Sequence, residues 1–324
     1  MSTTINPGTP VKPGWSKPST LLFPTEIPTD PKVLQFAIAL AREFHATLVL
    51  FHVYDTMVVA ASETSGIRYF DYTAAARIEM RNIEPIAQQV REAGVPCEVV
   101  LRPGLAADQI LAYLREREID RVIMGTHSPG RIGKFFIGSV AESVLRSSPV
   151  PTFVIGPDTV DAQFRNYATQ NILCAVTLSD PGRFEATFAA QLALQHKAHL
   201  VLQHVIRPSE RAEVLANRSI ADIEADLLKL VPQSLQEAVE LQAVVVPGDP
   251  AEELLFQARA HHADLIVIGA HGASTLAAVT SQSVVHRVLA HSQCPVLALS
   301  SVVQATLSAK SHPEHALEIQ LTRA

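Results

Sequence analysis

The chain has 324 residues, a length that favours two domains. Hydrophobic residues make up 48% of it and charged residues 18%, which is enough apolar material for two cores and excludes a globally disordered chain. The net charge is −6 and no block of like charges occurs, which argues against a nucleic-acid partner held by bulk charge.

Strand-like and helix-like segments alternate along the first half of the chain. Asp30 and Pro31 supply a cap and a first turn for the first helix, and Gly94 is a typical residue at a helix end. The second half repeats the pattern. Apolar runs predict strands, and apolar residues at helical spacing predict helices, at these positions: strands 20–24, 46–53, 97–101, 121–124 and 151–155, and helices 33–44, 72–93, 106–117 and 139–146.

This alternation predicts the architecture. Strands that are apolar throughout and separated by helices form a parallel sheet covered on both faces, and right-handed crossovers make it a doubly wound α/β fold. Ligands of such folds bind beyond the carboxyl ends of the strands, where the strand order reverses. The predicted ligand loops are therefore 25–30 and 125–138 in the first half, and 177–180 and 269–282 in the second.

The chain is an internal repeat. IDRVIMGTH at residues 119–127 matches ADLIVIGAH at residues 263–271 with an offset of 144. His52 in LVLFHV matches His204 in LVLQHV with an offset of 152. The first half therefore carries about eight extra residues, which we assign to the polar segment 57–72.

The period is too long for a solenoid repeat and indicates a duplicated domain. We place the first domain at residues 18–158 and the second at residues 168–302. Residues 1–17 are predicted to be a flexible arm. In the tail, 303–324, the alternation of apolar residues fits a short strand, and disorder is the open alternative.

The cysteines and the lengths of the apolar runs indicate which metal sites and which cell compartments are expected. Cys97, Cys174 and Cys294 are far apart, and the chain has no CxxC, HExxH or Cys/His cluster. They are therefore predicted to be buried, inert thiols, and no metal site is predicted. The apolar runs are too short for a membrane helix, and no signal peptide is visible, so a cytoplasmic protein without a membrane partner is expected.

The loop and helix at residues 124–145, MGTHSPGRIGKFFIGSVAESVL, resemble the nucleotide loop of the universal stress protein family. The family pattern is Gly, two residues, Gly, nine residues, then Gly followed by Ser or Thr. The first half has Ser128 in place of the second Gly, and the second half has Gln282 in place of the third. The resemblance extends to His52-Val53 and to their counterparts His204-Val205.

The resemblance implies an adenine nucleotide alpha hydrolase-like fold with five parallel strands in each domain. It also implies that the two domains pair through their last strands as a pseudo-dimer. A single chain could then be a monomer that is already a pseudo-dimer, or it could form a homodimer.

The predicted ligand is an adenine nucleotide, ATP with Mg²⁺ held mostly by phosphates and water. A helix start such as Gly138-Ser139 presents free N–H groups to phosphate, and Gly138 lets the phosphate approach. By resemblance, Glu26 occupies the place of an Asp near the ribose. The first-half site is predicted to comprise these residues: Glu26, Val53, Gly125, Ser128, Gly130, Gly138 and Ser139.

The second half has Thr177 where the first has Glu26, and Gln282 lies where phosphate should lie. Its site is therefore predicted to be degenerate, with Val205, Gly269, Gly272 and Ser283 as a possible second nucleotide site.

The leading prediction is thus a cytosolic sensor or regulator with no catalytic residue of its own. Two alternatives stay open. One is a universal stress protein without nucleotide that acts through a protein partner, since each half breaks the motif once. The other is a slow ATPase or self-phosphorylating protein, although no general base or Walker-type Lys is evident.

Overall fold

The computed structural model describes residues 17–54, 72–126, 137–160, 164, 167–270 and 283–311. The strands in this part are β1 (Thr20–Pro24), β2 (Thr47–Tyr54), β3 (Cys97–Pro103), β4 (Arg121–Gly125), β5 (Thr152–Ile155), β6 (Asn171–Ala175), β7 (His199–Ile206), β8 (Leu241–Pro247), β9 (Leu265–Gly269) and β10 (Val296–Leu299). The helices are α1 (Pro31–Phe44), α2 (Tyr72–Glu92), α3 (Ala106–Glu116), α4 (Ser139–Ser147), α5 (Asp180–His196), α6 (Arg211–Asn217), α7 (Ile220–Leu228), α8 (Gln233–Gln236), α9 (Pro250–Ala260), α10 (Val284–His291) and α11 (Ser301–Ser311).

All of these strands belong to one sheet with the order β3-β2-β1-β4-β5-β10-β9-β6-β7-β8. Neighbouring strands within each half are parallel. The halves join through β5 and β10, which run antiparallel with Phe153 opposite Leu297. The predicted architecture is confirmed, with two doubly wound halves of five parallel strands that pair through their last strands.

The first helices of the two halves, α1 and α5, are capped by different residues but end alike. The carboxylate of Asp30 accepts a hydrogen bond from the Lys32 N–H at 2.8 Å and caps α1, whereas Ser179 caps α5. Both helices end at a residue with a positive φ, His45 (55°) and Lys197 (54°), at the offset of 152 seen in the sequence. The duplication therefore extends to backbone geometry.

A repeated aspartate ties the start of each half to its fourth strand. Asp120 Oδ2 accepts from the N–H groups of Ser19 and Thr20 at 2.7 and 2.9 Å. Asp264 Oδ2 accepts from the N–H groups of Gln170 and Asn171, both at 2.9 Å. These bonds satisfy donors at the strand starts that the sheet ladder leaves open.

The largest buried cluster contains residues of both halves. It includes Phe36 and Leu40 of α1 together with Phe188 and Leu192 of α5, on one face of the sheet. The same cluster holds Val303 and Leu307 of α11. One apolar layer therefore spans the junction between the halves.

Helix α11 runs from Ser301 to Ser311, across the end predicted for the second domain at residue 302, and its residues Val303 and Leu307 are buried on the core. The second half differs from the predicted repeat between β7 and β8, where the short helices α6, α7 and α8 take the place of the single helix α2. The apolar alternation of the tail falls outside the described residues. Cys97, expected to be buried, is half-exposed because it begins an edge strand, whereas Cys174 and Cys294 are buried.

Candidate functional site

The strand order reverses between β1 and β4 in the first half and between β6 and β9 in the second. The carboxyl ends of these strands are the places where a doubly wound sheet binds ligands. The predicted loops therefore begin at the expected edge. Segments 127–136 and 271–282, with Ser128, Gly130, Gly272 and Gln282, lie outside the described residues, as does most of the segment 57–72.

A repeated histidine holds the chain at this edge. His52 Nδ1 lies 2.7 Å from the carbonyl oxygen of Thr25, and His204 Nδ1 lies 3.0 Å from that of Val176. A carbonyl oxygen only accepts, so Nδ1 carries the proton and donates in both halves. The two histidines thus anchor the loops that follow β1 and β6, and each is followed by a valine of the predicted nucleotide sites, Val53 or Val205. The sequence indicated these histidines as marks of the repeat and of the resemblance, but it did not predict their role in holding the loops.

The first-half residues fall into two groups. Gly125 ends β4, and Gly138 and Ser139 begin α4, with the Gly138 N–H donating to the Thr126 carbonyl at 3.0 Å. The structure therefore brings together the two ends of the predicted loop. Val53 lies near the end of the neighbouring strand β2, and the exposed Glu26 follows β1, with its backbone carbonyl accepting from Thr29 Oγ1.

Gly138 is the N-cap residue of α4, and none of the described side chains caps this helix start. Its φ is −59°, so the backbone does not require glycine. Among the described atoms, a Cβ at this position would meet the Thr126 carbonyl oxygen alone, at 3.7 Å, so neither strain nor a clash with this part of the chain requires glycine here.

Aromatic side chains fill the region below this edge in the first half. The rings of Phe51 and Tyr113 lie 4.8 Å apart, and the Arg102 guanidinium lies 5.0 Å above the Tyr113 ring. Arg102 also pairs with Glu116, and this hydrogen bond holds the pKa of the Glu116 carboxyl below its usual range. These two rings and the Arg102–Glu116 ion pair are therefore packed together in the first half.

The second half contains a cavity of about 860 Å³ at the same edge. Val205, Gly269 and Ser283 of the predicted second site all line it. The cavity also touches α5, α9 and α10, and its wall includes Leu145 and Arg146 of α4, which belong to the first half. A volume of this size is typical of small-molecule sites.

The helix start in this cavity differs from that in the first half. Ser283 is the N-cap residue of α10, and its hydroxyl oxygen accepts from the His286 N–H at 3.2 Å. Ser139 is the first residue of α4 instead, with its side chain exposed. The matched serines therefore have different roles, and that of Ser283 is to stabilise the helix.

Charged and polar side chains surround the cavity of the second half. Arg146 pairs with Glu142 at 2.8 Å, and Arg207 pairs with Glu210 at 3.7 Å. The pKa of His286 is lowered, mainly because the imidazole is partly buried. The nearby Glu142 carboxylate opposes this shift, and the Arg146 guanidinium adds to it. The lowered pKa favours the neutral form of the His286 imidazole.

Two buried polar residues that sequence analysis did not identify also line this cavity, Gln203 on β7 and Glu185 on α5. A signal was present in the sequence, since LVLQHV differs from LVLFHV at the residue before the repeated histidine. Among the described residues, no group of three or more His, Cys, Asp or Glu could hold a metal ion.

The comparison with known protein families matches the two halves of the chain separately. The sequence model of the universal stress protein family matches twice, at residues 19–156 and 168–300. The universal stress protein YxiE of Bacillus subtilis is 27% identical over 131 residues, covering 38% of this chain and 88% of its own. A universal stress protein of Mycolicibacterium smegmatis is 26% identical over 104 residues, covering 32% of this chain and 78% of its own.

A solved structure covers both halves. The crystal structure of a universal stress protein from Archaeoglobus fulgidus superposes with a TM-score of 0.65 at 19% identity, covering 88% of this chain and 97% of that one. At this identity the likeness concerns the fold. None of the helices in the described residues is long and apolar enough to cross a membrane.

Proposed function

Since the chain belongs to the universal stress protein family and carries two copies of its domain in tandem, we propose that it binds ATP in its first half and acts as a stress-response regulator rather than a fast enzyme. The observation that carries the proposal is the start of α4 at Gly138, which none of the described side chains caps. The first N–H groups of a helix have no partner within the helix, and their positive partial charge favours an anion.

The described residues fit a nucleotide in this position. The phosphates would lie against the N–H groups that begin α4, where Gly138 leaves space and Ser139 adds an exposed hydroxyl. Val53 would meet the adenine edge, and the carboxylate of Glu26 would accept a ribose hydroxyl. Mg²⁺ would arrive with ATP and be held by phosphate oxygens and water. Ser128 and Gly130 remain proposed contacts from the loop.

We place the domains at residues 18–158 and 168–302, with an arm before them and a tail after them. The cytoplasm is proposed as the location, with a reducing environment suited to three free cysteines. A protein partner would read the nucleotide state.

The first experiment is thermal unfolding of nucleotide-free protein with and without millimolar Mg-ATP, with AMP and GTP as controls. A ligand at about 100 times its Kd stabilises a protein by about 2.7 kcal/mol, which shifts Tm by about 4 °C when all 324 residues unfold together. Absence of any shift would favour the alternative, a family member that acts through protein contacts alone.

The matched variants are Gly138→Gln and Gly138→Ala. We expect Gly138→Gln to weaken ATP binding at least tenfold, because a long side chain would occupy the phosphate position. Gly138→Ala should bind more nearly like the native protein, since its Cβ has room. Both should unfold at about the native Tm without ATP. Unchanged ATP affinity in Gly138→Gln would refute the assigned phosphate site.

A further inference from the structure

The two outermost strands of the sheet, β3 in the first half and β8 in the second, differ in what lies beside them. At the β8 edge, the Glu224 carboxylate of α7 accepts a hydrogen bond from the Val245 N–H at 3.4 Å. Leu101 of β3 is the counterpart of Val245 at the offset of 144, and no group in the part of the chain that the structure describes accepts from its N–H. An edge strand with unpaired N–H and C=O groups is a template for a further strand.

The backbone of β3 alternates between β2 and the outer side of the sheet. The Pro96 carbonyl oxygen accepts from the Leu48 N–H of β2 at 2.8 Å, so the even-numbered residues of this segment face β2. The N–H and C=O groups of Val99 and Leu101 therefore point outward from the edge. Both residues are half-buried and pack their side chains on the shared core, which holds the outward groups in place.

The side chains on the α3 face of β3 carry opposite charges on either side of an apolar residue. Glu98 lies two residues before Val100, and Arg102 lies two residues after it. Glu98 is exposed and lies 3.9 Å from the exposed Arg117, a weak pair that leaves the carboxylate available to a second cation. The Arg102 guanidinium is held 5.0 Å above the ring of Tyr113. The strand is therefore self-complementary in charge when two copies of it run antiparallel about Val100.

We propose that the β3 edge binds the β3 edge of a second copy of this chain, in an antiparallel pairing centred on Val100. In this register, Val99 of one copy and Leu101 of the other exchange N–H···O=C hydrogen bonds, and each Glu98 lies opposite the Arg102 of the other copy. A shift of the register by two residues places Glu98 or Arg102 opposite Val100 instead. The charges therefore favour one register.

This pairing closes on itself. Because the same patch of both copies forms the interface, the assembly is a twofold dimer, and a third copy finds both β3 edges already used. At the far end of the sheet, the hydrogen bond between Val245 and Glu224 disfavours growth through β8. The dimer is distinct from the β5–β10 pairing inside each chain, and it does not rest on the proposed ATP site.

The first test is sedimentation velocity of the full chain between about 1 and 100 μM, where we expect a monomer–dimer equilibrium. Glu98→Arg places like charges opposite each other across the new pairing, and it should raise the dimer Kd at least tenfold. Gln242→Arg is the matched control, because Gln242 occupies the corresponding exposed position of β8 at the offset of 144. It should dimerise as the native protein does, and both monomers should unfold at about the native Tm.

The second test is cysteine crosslinking across the twofold axis. The two copies of Val100 form a pair without mutual hydrogen bonds, with Cα atoms about 4.5 Å apart, which is within the range of a disulfide. In a Cys97→Ser background, Val100→Cys should therefore give a covalent dimer on mild oxidation with diamide, as seen by non-reducing gel electrophoresis. Val244→Cys, the matched position on β8, should remain a monomer under the same conditions.

The proposal is overturned if the chain stays monomeric at 100 μM, if Glu98→Arg dimerises as well as the native protein, or if Val100→Cys crosslinks no better than Val244→Cys. Absence of ATP binding together with an intact, Glu98-dependent dimer would refute only the proposed function.

Discussion

A single glycine, Gly182, positions part of the rim of the cavity in the second half. Gly182, the third residue of α5, packs so closely on the preceding loop that a Cβ would lie 1.8 Å from the Thr177 carbonyl oxygen. Thr177 and Ser179 line the cavity, so this contact positions part of its rim. The requirement is steric, because the backbone approaches too closely for any side chain.

We expect Gly182→Ala to lower the free energy of unfolding by about 2–3 kcal/mol, because the loop must move to admit a methyl group. Urea denaturation measures the change. Gly138→Ala is the matched control at another helix start, where the Cβ has room, and it should change stability by less than about 0.5 kcal/mol. Equal losses in both variants would show that the Thr177 contact is not the cause.

Matched helices of the two halves differ in how they begin. Asp249 caps α9 by accepting from the N–H groups of Ala251 and Glu252, both at 3.0 Å, and it also pairs with Arg287 of α10 at 2.8 Å. Its counterpart is Leu105, 73% exposed, which caps α3 with no side-chain hydrogen bond. A polar cap is typically worth about 1 kcal/mol.

Asp249→Ala is therefore expected to lower the free energy of unfolding by about 1 kcal/mol, and Leu105→Asp to raise it by up to about 1 kcal/mol, both measured by urea denaturation at pH 7.

The stabilising effect of Asp249 should depend on pH. The hydrogen bond from Arg287 is the main cause that lowers the pKa of Asp249. A carboxyl with a lowered pKa stabilises the folded state above its unfolded pKa, and that contribution disappears as the pH falls through the folded value. The difference between native protein and Asp249→Ala should thus narrow below about pH 4; a constant difference down to pH 2 would contradict this account.

The whole molecule is joined by more than the β5–β10 pairing. Arg121 of β4 lies 5.5 Å from the Phe188 ring of α5, and Glu43 of α1 lies 2.8 Å from His196 of α5. Burial lowers the pKa of Arg121 to about 10, a sign of how fully this cation is enclosed at the junction. A shared core of this kind couples the folding of the two halves.

We therefore expect one cooperative thermal transition, with equal calorimetric and van't Hoff enthalpies. Phe153 of β5 is buried at the junction, with its ring 5.6 Å from that of Phe36, and Phe153→Ala should cost about 3–5 kcal/mol. Phe256→Ala is the control, because Phe256 is 56% exposed and should matter little. Two separate transitions in the native protein would disprove the coupling.

Local patterns in the sequence were sufficient for the architecture and for the elements of the first half. The spacing of apolar residues and the caps at Asp30 and Gly94 predicted α1 and the end of α2 to within a few residues, because such signals act between neighbours in the chain. The extent of α11 could not be predicted in this way, because the burial of Val303 and Leu307 depends on distant residues of the core.

The sequence by itself determined the duplication, the parallel sheet, the edge at which ligands would bind and the likeness to a family, since all of these follow from repeated or local residue patterns. Only the tertiary structure decided what lines the cavity of the second half. Gln203, Glu185 and Leu145 come from three separate elements, one of them in the other half, and no spacing along the chain brings them together. Their meeting depends on how the helices pack across the sheet, and a cavity is a property of that packing.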